Sequence, residues 1–160
     1  MKKKTVFVIG AGASKEFELP TGNELQGQIA KLVDIRFSDR RLVSGDPQIF
    51  DICKQRSSNH GELVEYQAAG WLIRDGVALT DSIDNFMDKH VTNEKVQLLG
   101  KLSIAKCIAE AERKSKLYFD PHKSNATVDF DALPENWLVK LYKHIPVSYT
   151  HLTLPTICSV

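Results

Sequence analysis

The chain has 160 residues, of which 42% are apolar and 26% charged, and its formal net charge is +1. Such a composition belongs to an ordinary globular chain, one domain or part of one, and excludes a general electrostatic field for nucleic acid or a membrane surface. No apolar run reaches the roughly 18 residues of a membrane span and the polar start has no signal-peptide core, so a cytoplasmic protein that binds neither membrane nor nucleic acid directly is expected. Cys53, Cys107 and Cys158 show no paired spacing, which supports neither a disulfide framework nor a zinc site.

Lys2, Lys3 and Lys4 read as a solvated tail. Val6, Phe7, Val8 and Ile9 then form an unbroken apolar run, the pattern of a strand buried on both faces of a parallel sheet. Gly10 and Gly12 follow within Gly10-Ala11-Gly12-Ala13-Ser14. Glycines at that place let the chain leave the sheet in a tight turn and let a phosphate approach bare backbone N–H groups. The third glycine of a dinucleotide fingerprint would fall at Lys15, so that motif is incomplete. A P-loop is excluded because Ser14 precedes Lys15 rather than following it. Ser14 can donate its hydroxyl to a phosphate or ribose, or simply stabilise the turn.

Thr21 or Asn23 can cap a helix with apolar positions Leu25, Ile29, Leu32 and Val33, at helical spacing. From Phe37 to His60 the pattern is irregular, with turn signals around Gly45 and Asn59 and one short helix around Ile49 to Cys53. A longer helix is expected from about Gly61 to Arg74. His60 reads as a turn residue, since no second ligand lies at metal spacing. Ser82 is a suitable N-cap for a short helix burying Ile83, Phe86 and Met87, with Asp84 and Asn85 in its first turn as cap-side residues or, alternatively, as ligand contacts. Thr92 opens the longest helix, to about Lys116, with an apolar stripe from Val96 to Ala111 and an expected Glu110–Lys114 pair. Asp120-Pro121 ends it. Residues 120 to 131 read as a polar loop, and Leu133-Pro134-Glu135 starts a last helix through Trp137 and Tyr142.

Gly10-Ala11-Gly12-Ala13-Ser14, the short loop to Pro20, and Thr21-Gly22-Asn23-Glu24-Leu25 opening a helix resemble the first signature of the sirtuin-like NAD-binding family. Ser82-Ile83-Asp84-Asn85-Phe86, Lys101-Leu102-Ser103-Ile104-Ala105 and the stretch from Glu112 through Ser115 to Tyr118 are similar to segments of the same family. The likeness is to the bacterial branch associated with anti-phage defence rather than to the protein deacylases, whose Pro-Asp-Phe-Arg continuation and four zinc cysteines are missing. The resemblance implies an α/β fold, an incomplete Rossmann-like parallel sheet with a largely helical insertion. It implies NAD as cofactor or substrate, bound by Gly10, Ala11, Gly12, Ala13, Ser14, Pro20 and Thr21, and a parent protein that hydrolyses NAD and is open to self-association. No catalytic residue is assigned: the family's asparagine and histidine motifs are not visible, and Asn136 and His144 do not acquire those roles by residue type alone. The alternative function is a nucleotide-sensing module that regulates an attached effector without chemistry.

Val147 to Val160 resembles the in-frame translation of a sequencing adapter. Residues 1–146 are therefore expected to be the N-terminal part of a sirtuin-like NAD-binding domain and 147–160 a non-native tail, so that the chain alone is inactive.

Overall fold

The computed structural model describes residues 10–39, 41–115, 117–118 and 133–144. One unit ends at Tyr118 and a second begins at Phe119. Among the described residues 71% are helical and 6% are in strands. In the first unit the elements are α1 (Ala11–Ser14), α2 (Gly22–Val33), β1 (Arg36–Ser38), β2 (Arg41–Ser44), α3 (Pro47–Arg56), α4 (His60–Gly76), α5 (Ile83–Lys89) and α6 (Glu94–Lys114); the second unit contributes α7 (Trp137–His144).

This corrects the expected fold class. The described sheet is a two-stranded antiparallel hairpin, β1 on β2, pairing Phe37 with Leu42 and Ser38 with Arg41, and no parallel Rossmann-like sheet is present among the described residues. The apolar stripes of the helices cover one another instead of covering a sheet. Ile29 and Val33 of α2, Tyr66, Ala69 and Ile73 of α4, and Val96, Leu99 and Cys107 of α6 form one core, joined by Ile49 and Cys53 of α3 and by Ile83, Phe86 and Met87 of α5. The expected strand over Thr5 to Ile9 lies outside the described residues, as do the expected loop over 120–131 and the tail over 147–160.

Side-chain caps set where the helices begin. Asp46 accepts from Ile49 N–H at 3.0 Å, Asn59 from Glu62 N–H at 3.0 Å, Ser82 from Asn85 N–H at 3.1 Å and Asn93 from Val96 N–H at 3.1 Å. In α7 Asn136 does the same for Val139 N–H at 2.9 Å. The expected Glu110–Lys114 pair is replaced: Glu110 lies 3.7 Å from Lys106, whose ammonium also reaches Asp46 at 2.9 Å.

Two polar ties fix α2 against its neighbours. Buried Gln26 donates to Val77 O at 3.2 Å and Thr80 O at 3.1 Å, satisfying carbonyls where α4 ends. At the other end Asp34 accepts from Arg74 at 2.7 Å, Arg36 at 2.9 Å and Ser44 at 3.0 Å, joining the hairpin to α4. Burial pushes the Asp34 carboxyl up, and the hydrogen bonds from Arg74, Arg36 and Ser44 together outweigh it and hold the group below the ordinary aspartate range. A carboxylate with a depressed folded pKa stabilises the protein above the unfolded value of about 3.9, and that contribution is lost as pH falls through the folded value. Asp34→Asn is therefore expected to flatten the loss of stability between about pH 5 and pH 2, read from urea midpoints; an unchanged acid slope would remove Asp34 from that account.

Candidate functional site

Segment 10–14, expected as an open loop, closes into one helical turn. Gly10 is extended, with φ −87° and ψ 167°. Ala13 N–H donates to Gly10 O at 3.0 Å and Lys15 N–H to Gly12 O. Those amides are committed, so the turn offers the first-turn N–H groups of Ala11 and Gly12, which have no intrahelical acceptor. A Cβ at Gly10 or at Gly12 would meet no described atom within 4 Å. No internal packing among the described residues thus demands a glycine at either place. The hydroxyl of half-buried Ser14 has no partner among the described residues.

A 3₁₀ turn, Lys15–Phe17, continues the path and buries Phe17. Glu18 then adopts φ 66°, redirecting the chain through Leu19 and Pro20 to Thr21, the residue that caps α2. Thr21 N–H and Oγ1 both donate to Glu24 Oε2, at 2.9 and 3.0 Å. Glu24 Oε1 accepts from Lys15. One carboxylate therefore ties the end of the glycine turn to the start of α2. The Lys15 ammonium, with help from Thr21, holds the Glu24 carboxyl down at about 2.

A cleft of about 560 Å³ opens beside this tie, lined by Lys15, Glu18, Leu19, Pro20 and Glu24, by Gln28, Lys31 and Leu32 of α2, and by Cys107, Glu110, Ala111 and Lys114 of α6. Of the predicted site residues only Pro20 lines it. The glycine turn reaches the cleft through Lys15, which follows Ser14, and Thr21 reaches it through Glu24. Sequence reasoning missed Lys15, Glu24, Lys31 and Lys114. Thr21-x-x-Glu24 is a capping-box pattern that could have singled out Glu24; nothing in the sequence marks the lysines, because helix packing brings them together.

Other candidates separate from this site. Asp84 and Asn85 lie exposed in the first turn of α5 and do not line the cleft. His60 opens α4, and Asn136 is spent as a cap, donating also to Pro134 O at 2.8 Å. Cys53 and Cys107 are free and buried, and burial pushes both thiols up to about 11, which makes them poor nucleophiles at neutral pH. No group of three potential metal ligands forms among the described residues, and none of the described helices is long and apolar enough to cross a membrane. Comparison with protein-family models, curated proteins and solved structures found no match.

Proposed function

We propose that this chain is the NAD-binding portion of a sirtuin-like NAD-hydrolysing protein of anti-phage defence, working through binding rather than through a catalytic group of its own. The observation that carries the reading is the exposed turn at Gly10 and Gly12, where neither position is filled by a described neighbour. No described neighbour requires glycine at either position, and close approach of a ligand to bare backbone would use it. The first-turn amides of Ala11 and Gly12 and the Ser14 hydroxyl, none of them with a partner among the described residues, are donors suited to phosphate oxygens.

Calorimetric titration of NAD into the chain tests this. Binding is expected, with Gly12→Val weakening it at least about tenfold, equivalent to about 1.4 kcal/mol, while leaving the thermal midpoint within a few degrees because a Cβ at that position meets no described atom within 4 Å. No nicotinamide release is expected. Absence of NAD binding, or equal binding by Gly12→Val, would defeat the proposal.

A further inference from the structure

We infer that the cleft between α2 and α6 is the seat of the nucleoside monophosphate half of the ligand, with Lys31 and Lys114 holding its phosphate. This inference rests on the proposed function for the identity of the whole ligand, but the cleft chemistry points to a nucleotide by itself.

The cleft is lined by three lysines and three glutamates, and the ion pairs among the described residues leave Lys31 and Lys114 without a carboxylate in contact. Lys15 is paired with Glu24, and Glu110, which also lines the cleft, lies 3.7 Å from Lys106. Glu18 is exposed and has interactions of its own. Lys31 on α2 and Lys114 in the last turn of α6 are exposed and have no ion-pair partner among the described residues. They rim one cavity from opposite helices. The surface between them is apolar: Leu19, Pro20, Leu32 and Ala111 line it, Ala111 being 9% exposed. A cleft of about 560 Å³ is the size of a small-molecule site, and an apolar floor with a few charged groups at the rim is the usual lining of such sites. A flat, largely apolar ring bearing an anion satisfies both parts, the ring on the leucine, proline and alanine surface and the phosphate between the two ammonium groups. A purely apolar ligand would leave both cations unanswered, and inorganic phosphate would leave the floor wet.

The test titrates AMP, nicotinamide mononucleotide and NAD into the full chain, its Lys31→Ala and Lys114→Ala variants singly and together, and Gly12→Val. Both lysines are exposed, so folding should be unaffected, checked by circular dichroism. AMP and NAD should bind; each lysine variant should weaken both by roughly tenfold, the size expected for one charge-assisted contact. Gly12→Val should weaken NAD while sparing AMP. NAD binding that is lost in Gly12→Val and untouched in the double lysine variant overturns the cleft assignment and leaves the proposed function standing. AMP binding that needs the lysines, with no binding of NAD, sustains the cleft and defeats the proposed function. No binding of any of the three overturns both.

Discussion

Gly70→Ala is expected to destabilise the protein by about 1–3 kcal/mol, the usual range for overpacking, although alanine is the better helix former by nearly 1 kcal/mol. The reason is local. Gly70 lies on the buried face of α4, and a Cβ there would stand 2.6 Å from Val33 O, the carbonyl at the end of α2. That oxygen cannot swing away, since Val33 is itself fully buried and its carbonyl accepts from Ile35 N–H at 2.8 Å. Relief requires α4 to lift from α2, the contact on which the core is built. Gly27 supplies the control, being a helical glycine on the exposed face of α2 with no described atom within 4 Å of a Cβ. Gly27→Ala should therefore stabilise by about 0.5–1 kcal/mol. Urea denaturation of both variants gives opposite signs if space decides at residue 70; a gain of stability in both would show that propensity outweighs the contact and that α2 and α4 are less closely apposed.

The helices are legible in the sequence because their signals are local. Asn59 and Ser82 precede periodic apolar stripes and do cap α4 and α5; the long stripe from Val96 to Ala111 is α6, whose cap falls on Asn93, one residue after the expected opening at Thr92. The hairpin is not legible. Its strands are three and four residues long, too short for alternation to show against neighbouring charges, and Phe37 and Val43 remain 44% and 62% exposed. Phe37 is held instead by Phe50 of α3, their ring centroids 5.0 Å apart, a tertiary contact with no sequence mark. One apolar run and a glycine turn do not specify a parallel sheet, and the stripes of α2, α4 and α6 are wide enough to bury one another.

The candidate site was legible in part for the same reason. The glycine turn and Thr21 lie within one short stretch and announce themselves. What a single stretch cannot show is that Ala11 to Ser14 would wind into a helical turn, spending the amides of Ala13 and Lys15 on internal bonds. Nor can it show that Lys31 and Lys114, far apart in sequence, would rim one cleft. Local chemistry was readable; its assembly depended on how α2 docks on α6.

Ile29→Ala is expected to have the largest effect of any single truncation near the site, about 2–5 kcal/mol, which for a chain of this size lowers the thermal midpoint by roughly 4–20 °C. Ile29 is 0% exposed and sits one turn before Val33 on the face of α2 that meets α4 and α6. Removing its outer carbons leaves a hole that this face cannot close, because Gln26 is anchored to Val77 O and Thr80 O and Asp34 to Arg74, Arg36 and Ser44. A helix pinned at both ends cannot slide inward to collapse the cavity, so the cost should fall in the upper half of the range. Ile29→Val should cost only about 0.5–1.5 kcal/mol, and the ratio of the two losses reports how rigidly α2 is held. A loss below about 1.5 kcal/mol for Ile29→Ala would mean that α2 relaxes into the space and that the Gln26 and Asp34 ties do not fix it. Ile29 does not line the cleft, whereas Gln28, Lys31 and Leu32 of the same helix do. Under the proposed nucleotide assignment of the cleft, the folded fraction of Ile29→Ala should therefore bind within about threefold of the parent affinity, a change of under about 0.7 kcal/mol. Stability and binding would then separate along one helix, with the core face carrying the first and the cleft face the second.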